Sequence, residues 1–317
     1  MSKTVKVKPS LRVSENGLEK TEANNRLEVL KTYKIYIGGQ FPRTESGRYY
    51  VATNKRGEQL ANVCLCSRKD FRDAVVSARA AFKGWSARAA FNRGQILYRM
   101  AEMLEGRKAQ FLEELTVQDV SKQQSLKEIN TAIDRLVYYA GWCDKYQQLF
   151  GSVNPVASSH FNFSVPEPTG VVAIIAPQDS SLLGLVSTIA PVIAGGNTCI
   201  VLASELLPLC AITFAEVLNS SDLPGGVVNI LTGKTSELHS QFASHMDVNA
   251  VIYCGNDKKV KKEMQQQSAS NVKRFIQYTG IDWFTEKGQS PYLIMETQEI
   301  KTTWHPIENI GGGGGGY

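Results

Sequence analysis

No apolar run in this 317-residue chain approaches the ~20 residues that a membrane-spanning helix needs, which argues against a helical membrane protein. The opening stretch, "MSKTVKVKPSLRVSENGLEKTEANNR", lacks the apolar segment of a secretory signal. It reads as a flexible arm over residues 1–32, and a cytoplasmic location is the default. Histidine is scarce: His160, His239, His245 and His305 are all there is. The six cysteines, Cys64, Cys66, Cys143, Cys199, Cys210 and Cys254, show neither zinc-knuckle spacing nor a redox CxxC. No metal site is expected, and the thiols read as free and mostly buried. An excess of one charge is also missing. The net charge is +5, part of it in the single run "NDKKVKKEM", so nothing calls for nucleic acid. The six glycines near the end have no helix after them, so they do not form a phosphate-cradling loop.

What is present is the composition of a soluble globular protein, 43% hydrophobic and 21% charged, with length for one large domain or two ordinary ones. Residues 33–66 carry strand signals in "YKIYIGG", "RYYVATN" and "QLANVCLC", separated by turn residues, and predict a small antiparallel sheet. Ser67 and Asp70 then form a capping-box pattern ahead of a helix whose apolar face is Phe71, Ala74, Val75, Ala78, Ala81, Phe82 and Trp85. A second helix gathers Ile96, Leu97, Met100 and Leu104; a third runs from Gln110 to Asp119. A long fourth carries Ile129, Ile133, Leu136, Val137 and Ala140. Trp85, Trp142 and the Tyr138–Tyr139 pair belong to such faces and read as core.

Residues 150–169 break the pattern. Alternation in "HFNFSV" between prolines predicts a projecting hairpin. After it, "GVVAIIAP", "GGNTCIVLASE", "GVVNILTG", "AVIYCG" and "VKRFIQYTG" alternate with four helical segments. Short apolar runs between helices predict an α/β fold with a doubly wound, parallel five-stranded sheet. The first half of the chain adds a helical layer to it. From Asp282 onward the pattern is poor, and residues 282–317 read as an irregular tail ending in polyglycine.

"YIGGQF", "AFKGWSARAAFNRGQILYRMAEMLE", "YYAGW", "EPTGVVAIIAP", "GGNTCIVLASE", "LPGGVVNILTG" and "YCGN" follow one another in the order and spacing of a known family. From about Tyr33 to about Gly280 the chain resembles the cofactor-binding half of the aldehyde dehydrogenase superfamily. With "KTTWHP" near its end it looks most like the truncated C-terminal repeat of the family 16 aldehyde dehydrogenases. The resemblance implies a Rossmann-like dinucleotide-binding domain over residues 33–281, a hairpin used for oligomer contacts, and oxidation of an aldehyde with NAD.

That activity needs a thiolate, a base, an oxyanion donor and a bound dinucleotide. The resemblance places the nucleophilic cysteine beyond the last strand, but only 37 residues follow Gly280 and none is cysteine. The implied chain lacks the catalytic domain. Tyr278 stands where the family's general base, a glutamate, belongs, and a phenol of pKa near ~10 is a poor base at neutral pH. Gln178 and Asp179 occupy the turn that should supply an asparagine donor, and an ionised Asp179 can only accept.

For the dinucleotide the resemblance points to Glu205, Gly255 and Asn256. Leu202 replaces the lysine expected beside Glu205, a loss of about 1.5–3 kcal/mol, or roughly ten- to a hundredfold in affinity. The plainer readings are that Glu205 is a turn carboxylate or caps the helix near Pro208, and that Asn256 caps the helix after it. Cys254 ends a strand in the presumed cleft but has no cationic neighbour in sequence to activate it. Lys258, Lys259, Lys261 and Lys262 read as a solvated helix face, or as a docking patch for an acidic partner.

The sequence therefore predicts a pseudoenzyme kept for assembly in an organised cytoplasmic or cytoskeletal structure, meeting a protein partner or its own copy through the 150–169 hairpin. No cofactor is expected, and NAD only with weak affinity. Two alternatives stand: a non-catalytic NAD-binding regulatory subunit, and one part of an active dehydrogenase whose catalytic domain is on another chain.

Overall fold

Strands covered on both faces should be apolar throughout, and those at the centre are. In the computed structural model, which describes residues 29–307, every residue of β6 (Val171–Ile175), β7 (Thr198–Leu202), β8 (Val228–Leu231) and β9 (Ala250–Tyr253) is buried. With the half-buried edge strand β10 (Arg274–Gln277) they form a parallel sheet in the order β10-β9-β6-β7-β8. Alternate residues feed two cores. Val172, Ile174, Cys199 and Val201 face α2 (Ala90–Gly106), α3 (Lys108–Val117), α4 (Lys122–Trp142), α6 (Leu183–Ala194) and α7 (Leu209–Asn219). Val171, Ala173, Ile175, Ile200 and Leu202 face α1 (Arg68–Ser86), α8 (Thr235–Ser244) and α9 (Lys258–Ala269). This is the doubly wound fold that the alternating pattern predicts.

The first strands depart from the expectation of an antiparallel sheet. β1 (Thr32–Tyr33) runs parallel to β3 (Gln59–Cys64), and only β2 (Tyr49–Thr53) is antiparallel to it. The rest of "YKIYIGG" leaves this sheet for the edge of the large one, where Tyr36 and Ile230 exchange backbone hydrogen bonds of 2.9 and 2.8 Å. The turn that follows needs glycine at Gly38 and Gly39, where φ is +62° and +82°, and a Cβ at Gly225, packed against it, would collide with the Gly38 carbonyl. The Ser67 capping box is formed: Ser67 accepts from the Lys69 N–H, and Asp70 accepts from the Ser67 N–H at 2.7 Å. On α4 the apolar stripe is narrower than predicted. Val137 is exposed and Ala140 half-buried, while Arg135 and Tyr139 point inward.

The hairpin and the tail differ most from expectation. β4 (Ser152–Asn154) and β5 (His160–Pro168) pair as a hairpin reached through the short helix α5 (Tyr146–Phe150). The described part of residues 282–317 is ordered, contrary to the irregular tail predicted. It makes a 3₁₀ turn at Glu286–Gly288, a one-turn helix α10 (Tyr292–Met295) and a nine-residue strand β11 (Gln298–Pro306). β11 joins β5 antiparallel, giving a separate sheet in the order β11-β5-β4.

Between β10 and β11 the chain forms a strap pinned by buried polar side chains. Arg135 donates to the Trp283 carbonyl at 2.8 Å and to Ser187 at 3.1 Å, Tyr139 donates to the Ser290 carbonyl, and Asn197 donates to the Thr297 carbonyl. Most of the arm (residues 1–28) and the polyglycine run lie outside the described residues. Among the described residues no helix is long and apolar enough to cross a membrane.

Candidate functional site

In a doubly wound sheet the crevice for a ligand opens at the carboxyl ends of the strands, where strand order reverses. Here that point lies between β6 and β9, and it holds a cavity of about 270 Å³. Pro177, Gln178 and Asp179 leave β6 on one side of it, while Cys254, Gly255 and Asn256 leave β9 on the other. Tyr278 and Trp283 complete the wall. Gln178, Asp179, Cys254, Gly255, Asn256 and Tyr278 therefore meet in one place, whereas Leu202, Glu205 and the α9 lysines do not line it. The cavity is smaller than the ~300–1,000 Å³ usual for small-molecule sites.

Gln178 does not reach toward a ligand. Its amide donates to the Ala176 carbonyl at 3.0 Å and accepts from the Glu205 N–H at 2.8 Å, so it stitches the exit of β6 to that of β7. Ser204 donates to the Gln178 carbonyl, which closes the same seam. Asp179 is exposed at the rim. Burial, and then the Asp179 carboxylate, push the Cys254 thiol up, so it stays protonated at neutral pH. Tyr278 is buried and donates to Glu296, which the strap delivers from α10. Burial, and then the nearby Glu296 carboxylate, hold the Tyr278 phenol well above its ordinary value. The same burial raises Glu296, against the pull of the Tyr278 hydroxyl. The position where a base is expected therefore holds a neutral hydrogen-bond donor.

Helix N-termini beside such a crevice are natural anion sites, since their first N–H groups lack intrahelical partners. In this protein internal carboxylates occupy both. Glu128, from α4, accepts from the N–H groups of Leu182 and Leu183 at 2.9 and 3.0 Å and from Ser180, capping α6. Asp257 accepts from the N–H groups of Lys259 and Val260 at 2.8 and 3.2 Å, capping α9. The expectation that Asn256 caps this helix is thus corrected by one residue. Asn256 is exposed at the cavity rim instead. Gly255 is required by close approach: a Cβ there would collide with the hydroxyl of buried Tyr253, which fills the space above the turn.

Leu202 is turned fully into the core. Glu205 is half-buried and does not cap α7, whose first N–H, that of Leu209, donates to the Gln118 side chain at 3.3 Å. Burial, and then the Glu205 carboxylate, raise the phenol of Tyr50, whose buried hydroxyl finds no hydrogen-bond partner among the described residues. Lys258, Lys259 and Lys262 are exposed and Lys261 half-buried along α9.

Residues 41–304 match the aldehyde dehydrogenase family. The chain belongs to that family. It is 31% identical to cytosolic 10-formyltetrahydrofolate dehydrogenase of Mus musculus over 88% of this chain and 31% of that protein. It is 32% identical to omega-crystallin of Enteroctopus dofleini over 79% of this chain and 51% of that protein. Among solved structures, an NAD+ complex of aldehyde dehydrogenase from Bacillus cereus superposes with a TM-score of 0.73 at 25% identity, over 79% of this chain and 51% of that one. A dehydrogenase from Burkholderia cenocepacia gives 0.75 at 26%, over 80% and 51%. The chain thus spans about a third to a half of the length of these relatives.

Glu128, Tyr253 and Glu296, which cap α6, crowd Gly255 and accept from Tyr278, were not found from sequence. Glu128 lies on a helix more than 50 residues before the N–H groups it caps, and no local pattern announces that meeting. Asp257 did carry a local signal, an aspartate directly before a helical run.

Proposed function

We propose that this chain is a catalytically inactive aldehyde dehydrogenase-fold protein that acts as a structural or interaction module in a larger assembly. One observation carries the reading: carboxylates of the protein itself, Glu128 and Asp257, cap both helix N-termini at the crevice. A dinucleotide would have to bring its pyrophosphate against Asp257, in a cavity of about 270 Å³. The chemical groups agree. Cys254 is held as a thiol, and Tyr278 is a neutral donor tied to Glu296. One relative is named as a crystallin, not as a dehydrogenase. The surfaces offered to a partner are the projecting sheet around residues 150–169 and the α9 face bearing Lys258, Lys259, Lys261 and Lys262. The cytoplasm is the expected location, and several relatives are named cytosolic.

A second reading, a non-catalytic NAD-binding subunit using Glu205, Gly255 and Asn256, draws on one feature: the Tyr50 hydroxyl near Glu205, which has no partner among the described residues. Calorimetric titration with NAD+ and NADH separates the two. No heat of binding is expected up to millimolar ligand, and saturable binding in the micromolar range would favour the second reading. Aldehyde oxidation by the purified chain is expected to stay at the blank rate, and turnover would overturn both.

A further inference from the structure

The crevice between β6 and β9 carries charge of one sign. Asp179 brings the one carboxylate to its lining; Cys254 stays a thiol, Tyr278 a phenol, and no described lysine, arginine or histidine lines it. Lys258 and Lys259 lie past the Asp257 cap, outside the lining. Glu128 and Asp257 already offset the partial positive charge that the N-termini of α6 and α9 would lend an anion. Three polar side chains of the wall also have no partner among the described residues. Asp179 and Asn256 are exposed at the rim and make neither a hydrogen bond nor an ion pair. Trp283 is 6% exposed, yet its indole N–H meets no acceptor. A buried indole N–H ordinarily finds one. The other polar side chains of the wall are engaged, Gln178 across the β6–β7 seam and Tyr278 with Glu296.

We infer that this crevice holds a small amino alcohol, a primary ammonium and a hydroxyl on a short carbon chain. The inference rests on the reading of the chain as inactive, since it needs the crevice free of a dinucleotide. The groups left over dictate the ligand. A carboxylate at the rim calls for a cation, and the ammonium pairs with Asp179 and donates to the Asn256 amide oxygen. The Trp283 indole can only donate, so it calls for an acceptor, which the hydroxyl oxygen supplies. Pro177, Ile281 and the Trp283 ring give the carbon chain an apolar wall. The volume of about 270 Å³ suits a molecule of a few heavy atoms. A carboxylate or phosphate ligand would meet Asp179 with no basic group in the lining to offset the repulsion. A neutral diol would leave Asp179 without a counter-charge.

Saturation-transfer NMR on the full chain with ethanolamine is expected to show saturable binding that weakens as salt rises. Glycolate, of the same size and opposite charge, and ethylene glycol, uncharged, should not bind under the same conditions. Phosphoethanolamine puts an anion where the hydroxyl stood and should bind more weakly, which separates a free amino alcohol from a lipid headgroup. Asp179→Asn changes an exposed side chain and should weaken ethanolamine by about ten- to a hundredfold, with the circular dichroism unchanged. Propylamine has the shape of ethanolamine without the oxygen and should bind about threefold to tenfold less tightly. That difference should vanish in Trp283→Phe, which keeps a ring in the wall and removes the N–H. No saturable binding of ethanolamine overturns the inference. So does binding indifferent to Asp179→Asn, glycolate or phosphoethanolamine bound as tightly, or a propylamine difference that survives Trp283→Phe. Micromolar NAD+ binding would sink the underlying reading, whereas ethanolamine failing while NAD+ stays silent would sink the inference alone.

Discussion

Tyr278 and Glu296 show how one substitution changes what a site can do. A glutamate at position 278 would have been a candidate base; a tyrosine becomes a buried donor and needs an acceptor. The strap supplies Glu296. Burial raises the Glu296 carboxyl above its ordinary value, with the Tyr278 hydroxyl working in the opposite sense. The fold therefore favours the protonated acid. The associated stabilisation is fully present below the ordinary carboxyl range and is lost as pH rises through the raised folded value. Glu296→Gln keeps an acceptor for Tyr278 and removes the charge. Thermal melts of variant and parent from pH 4 to pH 8 should show the variant gaining relative stability as pH rises. A difference that stays constant across that range would refute the coupling. Tyr278, Gln178 and Asp179 were legible as departures from a family pattern. Glu296 was not, because it lies 18 positions further along the chain and its role exists only once the strap has folded back.

At the scale of elements, apolar periodicity placed each strand of the parallel sheet and each long helix, because a strand covered on both faces has little freedom in composition. Caps were less legible. Ser67 and Asp70 act within a few residues and could be read directly, whereas α6 receives its cap from α4. The two carboxylates that cap α6 and α9 also differ in consequence. Asp257 is exposed, so water can replace it, and Asp257→Ala should cost about 1 kcal/mol. Glu128 is buried, and Glu128→Ala would strand the N–H groups of Leu182 and Leu183 away from solvent. A cost of about 2–4 kcal/mol is expected, since unsatisfied buried donors lose their full desolvation energy. Denaturant titrations of both variants test this ordering. Equal losses would mean that the α6 terminus finds another acceptor.

The whole molecule depends on pairings that no local pattern announces. Alternation in "HFNFSV" revealed β5, but its partner is β11, and Ser164 meets Thr302 across 138 residues of sequence. From the sequence alone, residues 282–307 lacked helical or strand rhythm because the strap makes its contacts through backbone carbonyls. The carbonyls of Trp283, Ser290 and Thr297 accept from Arg135, Tyr139 and Asn197, and any residue type can supply a carbonyl. The donors are buried, so they depend on the strap. A chain ended after Gly280 leaves Arg135 as a buried charge stripped of its Trp283 acceptor and removes the Leu293 and Ile294 side chains from the core. A chain ended after Gln298 keeps each of these contacts and gives up only the outer strand. The shorter chain should lose its near-ultraviolet circular dichroism and bind a hydrophobic dye, whereas the longer one should unfold in a single cooperative transition. If both behave alike, either the strap is dispensable or β11 is part of the folding unit, and the melting temperature of the longer chain decides which. A value within a few degrees of the parent makes the strap the element that completes the fold and leaves β11 free for contacts outside it.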